Sequence, residues 1–268
     1  MFVDYCVNCG NKDVKQFDGD IHAFVLDRMR GTLKDPNGPR LTKCGSIYCP
    51  ICEYTGSAIR FSQEEEKRFY SEYGEKSYID QRCLYEGQHM ANIFNTYNDP
   101  RYIKSRQETL SKFLDTFVDI STIDSVLDFG GGNGQLIPEE FSHASKYVLD
   151  FSNKIPKPGV VAVKDASECP QVDLLISAHT LEHVSFPAEF LKYMKTFIKR
   201  NGLIYIEIPN EHNPNNAHTY HDWHEHIQNF SFNSLYALLT SHNINIIGRG
   251  NINLITGDTA IAVLGQIT

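Results

Sequence analysis

Positive charge is in short supply. The chain holds 25 Lys and Arg against 33 Asp and Glu, for a formal net charge of -8. Grip on a phosphate backbone rests on a basic excess, so the balance argues against a protein devoted to nucleic acid. Long apolar runs are missing too. None approaches the ~18 residues needed to span a bilayer, and the opening MFVDYCVNCG has neither the basic nor the apolar segment of a secretory signal. Internal repeats, low-complexity tracts and Lys/Arg patches interleaved with aromatics are also absent. The expectation is a soluble, cytoplasmic protein without membrane contact. At 268 residues, 41% apolar, it has material for one full domain and a small accessory module.

What is present is unevenly placed. Five of seven cysteines, Cys6, Cys9, Cys44, Cys49 and Cys52, crowd the first 52 residues, while Cys83 and Cys169 stand alone. Cys6-Val7-Asn8-Cys9 and Cys49-Pro50-Ile51-Cys52 are two Cys-x-x-Cys turns. Two such turns can bring four thiolates to the corners of a tetrahedron, which suits a structural Zn2+ with every position closed. The ligand candidates are Cys6, Cys9, Cys49 and Cys52, with Cys44 a spare thiol or an alternate ligand. Buried or redox-active thiols without metal are the competing reading. Residues 1–60, punctuated by Asp35-Pro36-Asn37-Gly38-Pro39, read as a zinc-ribbon-like module too loop-rich to build its own core. Residues 61–99, with Gln63–Arg68 and then Phe69, Tyr70 and Tyr73, read as a helical connector.

From residue 100 the pattern is α/β. Ile103, Arg106, Leu110, Phe113, Leu114 and Phe117 follow a helical period, with Arg106 the one polar interruption. Apolar runs at 125–129, 146–150, 160–163, 172–177 and 203–208 predict strands. A helix through Phe190, Leu191, Met194, Phe197 and Ile198, with Pro187 in its first turn, ends at Asn201-Gly202. Another carries Phe232, Leu235, Tyr236 and Leu239, and runs at 244–247 and 259–264 predict a late antiparallel pair. The stretch from Asp150 to Val160 is too short and Pro-rich for a crossover helix.

The first strand ends Val126-Leu127-Asp128-Phe129-Gly130-Gly131-Gly132-Asn133-Gly134. Glycine is needed where the backbone turns tightly and a ligand approaches closely. A helical stretch is expected after the loop. Asp150 follows Asp128 by 22 residues, at the end of the next strand, where an acid can accept hydrogen bonds from ribose hydroxyls. The D-x-G-x-G-x-G spacing resembles the first motif of class I S-adenosylmethionine-dependent methyltransferases. Lys164-Asp165-Ala166, Asp173–Val184 with its Leu-Glu-His-Val end, and Lys199-Arg200-Asn201-Gly202 keep step with later segments of that family. The resemblance, over residues 100–268, implies a Rossmann-like fold with a mostly parallel seven-stranded sheet. It also implies cofactor contacts from Asp128, Gly130, Gly132, Gly134, Asp150, Phe151, Asp165, Ala166 and His179.

Five of eleven histidines, His212, His218, His221, His224 and His226, fall in one short stretch, expected at the carboxyl edge of the sheet. Histidine, with a pKa near ~6.5, suits acid–base work. Solvent-exposed loop histidines, and a metal site through His221 and His224, are the competing readings. Trp223–Ser231, together with the cysteine module and tyrosine connector, resembles the front part of sugar C-methyltransferases. That likeness implies an active-site pair at Glu225 and His226, with His179 facing the same edge. One of the connector tyrosines Tyr70, Tyr73 and Tyr78 would line the acceptor pocket. The family's further C-terminal domain has no counterpart in these 268 residues, so carbon methylation of a keto-sugar does not carry over. The expected reaction is methyl transfer to a small polar acceptor, a sugar nucleotide or another precursor or substituent of a surface polysaccharide. Two rivals share the motifs: an RNA methyltransferase using the zinc ribbon as reader, and a non-catalytic cofactor-binding scaffold. Charge disfavours the first, with a net of +1 over residues 1–60 and -9 over the rest.

Overall fold

The computed structural model describes residues 1–33, 40–152, 154–212 and 219–268. The Asp35–Pro39 punctuation and His218 lie outside them. In chain order the strands are β1 (Lys15–Phe17), β2 (Gly19–His22), β3 (Leu41–Lys43), β4 (Ser46–Tyr48), β5 (Thr55–Ser57), β6 (Ser125–Phe129), β7 (Ser145–Leu149), β8 (Val160–Ala162), β9 (Val172–Ala178), β10 (Ile198–Pro209), β11 (His221–Trp223), β12 (Gln228–Asn229), β13 (Ile244–Asn253) and β14 (Thr259–Ile267). The helices are α1 (Ala23–Arg30), α2 (Gln63–Tyr70), α3 (Lys76–Glu86), α4 (His89–Tyr97), α5 (Pro100–Asp115), α6 (Pro187–Lys195) and α7 (Phe232–Ser241). Two compact units emerge: Met1–Tyr97 with Glu182–Ala188 and Glu211–Ala237, and Asn98–Leu181 with Glu189–Asn210 and Leu238–Thr268.

The second unit is built on a seven-stranded sheet of order β13-β14-β10-β9-β6-β7-β8. Strands β10, β9, β6, β7 and β8 run parallel, while β14 is antiparallel to both β10 and β13. Central strands buried on both faces carry near-continuous apolar sequence, and every residue of β6 is buried. α5 starts where Asp99 accepts a hydrogen bond from the Arg101 N–H and Pro100 takes the first turn. It buries Arg106, Leu110 and Leu114 of the expected stripe, together with Tyr102, while Ile103 and Phe113 are half-buried. Phe117 falls beyond the helix end.

Two local expectations are corrected. The glycine loop is followed by turns and a short 3-10 helix, Glu139–His143, rather than an α-helix. Glycine is a poor helix former, and Pro138 pushes Ile137 away from the α region. Ile198 opens β10 instead of closing α6, and Asn201, at φ 63°, sits where β10 slips register between Ile198 and Leu203. The turn chemistry of Asn201-Gly202 is thus spent on a bulge inside the strand.

The first unit contains a four-stranded antiparallel sheet, β1-β4-β5-β12, and a three-stranded sheet, β11-β2-β3. β11 runs parallel to β2, and β3 antiparallel. Residues 221–229 therefore supply one strand to each sheet. Its core draws on two of its segments: Ile21, Phe24, Met29, Phe69, Tyr78 and Phe94 from Met1–Tyr97, and Trp223 and Ile227 from Glu211–Ala237. Trp223 opposes Ile21 across the sheets' β11–β2 ladder and donates its indole N–H to Ser46 Oγ at 2.9 Å. Among the described residues no helix is long and apolar enough to cross a membrane.

Trp223→Ala removes the largest side chain of that core. The first unit should lose about 3–5 kcal/mol of stability, read from denaturant unfolding by circular dichroism. An unchanged midpoint would contradict the placement of residues 211–237 in this core.

Candidate functional site

Because β6 to β10 are parallel, their carboxyl ends share one edge of the sheet, where open α/β domains bind ligands. The glycine loop lies there. Gly130 continues the ladder by donating its N–H to the Leu149 carbonyl at 2.8 Å. Gly130, Gly132 and Gly134 have φ of 75°, 62° and 75°, which L side chains adopt with strain. Space is a second reason: a Cβ on Gly131 would sit 1.9 Å from the Asp128 carboxylate. Asp150 clamps the loop. It accepts from the Gly132 N–H at 2.8 Å and the Ser152 N–H at 2.6 Å, and each oxygen keeps a lone pair for a further donor.

Asp128 is different. It is fully buried, and among the described residues neither carboxylate oxygen has a hydrogen-bond partner. Burial first, then the charge of Asp150, push its pKa up to about 7, against a small opposing effect of Arg106. A bare buried acid beside an open glycine loop suits a ligand carrying positive charge. Farther along the edge, Phe151 is 38% exposed. Asp165 caps a turn by accepting from the Ser167 N–H at 2.9 Å, and Ala166 begins the 3-10 helix that follows.

His179, at φ 51°, is held by one partner twice. Its backbone N–H donates to the Glu207 carbonyl at 2.8 Å, and Nε2 lies 2.9 Å from Glu207 Oε1. Glu207 is buried and also takes the Arg106 guanidinium and, at 2.5 Å, the Tyr205 hydroxyl. Burial opposes its charge, but the His179 bond and Arg106 outweigh burial and hold its carboxyl below the usual range. Arg106, the polar break in an apolar helix stripe, was the sequence signal for this network, whose acid partner lies about a hundred residues away.

The other candidates belong to the first unit. His226 Nδ1 is 2.9 Å from Glu211 Oε1, and its ring packs edge-on against His183 at 4.7 Å. Ligand atoms of Glu182, His183 and His226 lie within 4.8 Å of one another. Glu225, the expected partner of His226, instead turns to Arg82 and takes a 3.4 Å bond from the Tyr73 hydroxyl. Its backbone carbonyl meets His183 Nδ1 at 3.1 Å. Burial disfavours a charged His226, but the Glu211 bond and the charges of Glu182, Glu211 and Glu225 win and raise its pKa to about 9. Sequence reasoning missed Glu211, Glu182, His183 and Arg82 as members of this cluster. His221 stacks on Trp223 and His224 on His22. Tyr70 and Tyr78 pack with Phe69.

The two Cys-x-x-Cys turns meet. Each is closed by a backbone bond, Gly10 N–H to Cys6 and Glu53 N–H to Cys49, and all four sulfurs lie within 4.8 Å of one another. Cys6–Cys52 and Cys9–Cys49 are 3.7 and 3.6 Å apart. A tetrahedron with Zn–S of ~2.3 Å has an edge of ~3.8 Å. Four thiols this close cannot all ionise alone: the Cys6 hydrogen bond draws Cys52 down to about 5, while Cys52 pushes Cys6 far up. The donor set fits a divalent cation. Cys44 stays apart, buried in the apolar core with Ser57 donating to its sulfur at 3.4 Å.

A family model described as a methyltransferase domain matches residues 102–247. The chain belongs to this family. It is an S-adenosylmethionine-dependent methyltransferase, and its mostly parallel sheet matches the Rossmann-like fold of that class. Among solved structures, the chain is similar to 1,6-didemethyltoxoflavin-N1-methyltransferase of Burkholderia thailandensis, with 15% identity, 66% of this chain and 86% of that one covered, and a TM-score of 0.49. It is also similar to the complex of the Haloferax volcanii Trm112 activator with a methyltransferase, with 13% identity, 66% and 94% covered, and a TM-score of 0.49. No curated protein matches significantly.

Asp128 gives the methyltransferase a pH signature. A folded pKa of about 7 against an ordinary 3.8 means the folded state holds the proton more tightly. Stability of the cofactor-free protein should therefore fall as pH rises from about 4 to about 7, then level off. Asp128→Asn should flatten that fall, checked by melting temperatures at pH 5 and pH 8. An equal slope in both proteins would contradict the assignment.

Proposed function

We propose that this methyltransferase acts on a small polar acceptor, a sugar nucleotide or another precursor or substituent of a surface polysaccharide. Asp128, Gly130, Gly132, Gly134, Asp150, Phe151, Asp165, Ala166 and His179 hold the cofactor. Cys6, Cys9, Cys49 and Cys52 hold a structural Zn2+. The observation that carries the acceptor side is the half-buried His226, a titratable ring backed by carboxylates. The acidic chain and its lack of basic patches support a small acceptor over RNA.

Bound S-adenosylmethionine supplies a methyl group already activated by its positive sulfur. What the chain must do is align the acceptor and take its proton. Glu211 occupies Nδ1 of His226, which leaves Nε2 to accept that proton, and Glu225 keeps Arg82 and Tyr73 in place beside it. With a pKa of about 9, His226 is mostly protonated at neutral pH before the acceptor arrives. A base of that kind works better as pH rises.

Turnover at subsaturating acceptor should thus climb roughly tenfold per pH unit toward about 9, and Glu211→Gln should move the break to lower pH. His226→Ala should cut turnover roughly a hundredfold while leaving cofactor affinity unchanged. Asp150→Ala should weaken cofactor binding by about 1–3 kcal/mol. The acceptor is found with methyl-labelled S-adenosylmethionine in a fractionated lysate of the source cell. Label in a low-mass, phosphatase-sensitive fraction supports the proposal; label on nuclease-sensitive macromolecules overturns it.

A further inference from the structure

The parallel β11–β2 ladder pairs His221 with Gly19, Asp222 with Asp20 and Trp223 with Ile21. Side chains alternate along a strand. Ile21 and Trp223 are buried, so the residues on either side of them take the opposite face. The next step in register sets His224 beside His22, and their ring centroids are 3.7 Å apart. Asp222 Oδ1 lies 3.4 Å from His22 Nε2, a second carboxylate at the rim. α3 ends at the same place. Its last residue, Glu86, brings a carboxylate so that ligand atoms of His22, Glu86 and His224 all lie within 4.8 Å of one another.

Glu86 is the independent sign of a missing partner. Its side chain is 5% exposed, and Oε2 accepts from Arg82 Nε at 3.0 Å. The other oxygen, Oε1, is buried with no hydrogen-bond partner among the described residues. A bare buried carboxylate oxygen is costly, and two imidazoles beside it offer lone pairs rather than a fixed donor. A cation satisfies all three groups at once.

We propose that His22, Glu86 and His224 form a binding site for a divalent transition-metal ion, distinct from the four cysteines. Two imidazoles and one carboxylate suit Zn2+, Co2+, Ni2+ or Fe2+, whereas Mg2+ and Ca2+ favour oxygen-only sets. Three protein ligands leave open positions for water or a substrate oxygen. His224 is exposed, which gives the ion a way in. Four thiolates, by contrast, would fill every position around a tetrahedral ion. Nothing in this assignment depends on His226.

The probe is Co2+, whose visible spectrum separates sulfur ligation from nitrogen and oxygen ligation. The full-length protein, after dialysis against EDTA, is titrated with Co2+, and bound metal is counted by mass spectrometry. The wild type should take up one more ion per chain than His224→Ala, and that ion should show no thiolate charge-transfer band. His22→Ala and Glu86→Gln should weaken its binding at least tenfold, while His221→Ala, on the same strand but outside the cluster, binds as the wild type does. Glu86→Gln keeps a carbonyl for Arg82, and melting temperatures without Co2+ identify any variant that has failed to fold. Equal uptake by wild type and a folded His224→Ala would overturn the proposal, as would a thiolate band on the extra ion or an equal loss in His221→Ala.

Discussion

Backbone pairing of one returning segment, β11 to β2 and β12 to β5, is the constraint on which the first unit depends. Five residues, three in β11 and two in β12, enter two sheets across a short link, and the chemistry around them follows from that register. A net ~0.5–1.5 kcal/mol per backbone hydrogen bond would not hold the segment alone. Burial does most of it. Trp223, Ile227 and Phe230 are each at most 2% exposed, and each is worth ~1.5–3 kcal/mol or more. Gln228 adds specificity: it takes the Tyr54 hydroxyl at 2.6 Å, and Tyr54 in turn takes the buried Arg60 at 2.8 Å. With the apolar residues fixed inward, alternation sends His224 toward His22 and leaves His226 to Glu211.

The second unit sets two buried acids against each other. Glu207 is surrounded by Arg106, Tyr205 and His179, and its charge is stable because both oxygens are hydrogen-bonded. Removing Arg106 would strand that charge, a change that commonly costs about 3–5 kcal/mol. Asp128 has none of this. It sits under Gly131 with both oxygens bare, and its answer to burial is to keep its proton to about pH 7. One acid is structural and complete, and the other waits for charge from outside. Both acids are buried, so hydrogen-bond partners rather than burial make the difference.

Local chemistry was legible in the sequence. The glycine loop, Asp150, the paired cysteines and the late antiparallel strands each depend on residues close in the chain. The α-helix expected after the loop failed on Pro138, and the Asn201-Gly202 stop became a bulge because β10 began earlier than its apolar run. Partners far apart in the chain were not legible: Arg82 with Glu225, His226 with Glu211 and Glu86 with His224 meet only once the chain is folded. Glu225 was paired with His226 by the resemblance to sugar C-methyltransferases. Neighbours in extended chain point to opposite sides, so Glu225 found Arg82 and His226 found a carboxylate 15 residues upstream. The same reason hid the histidine segment's membership of the first unit.

Hydrogen–deuterium exchange of the full-length protein tests that membership most directly. Amides of residues 221–223 and 228–229 should exchange as slowly as those of β2 and β5, and should lose protection together with them, not with β10, as denaturant is raised. Fast exchange at 221–229 while β2 and β5 stay protected would contradict the account, because the segment would then be a loop and its histidines would not be held.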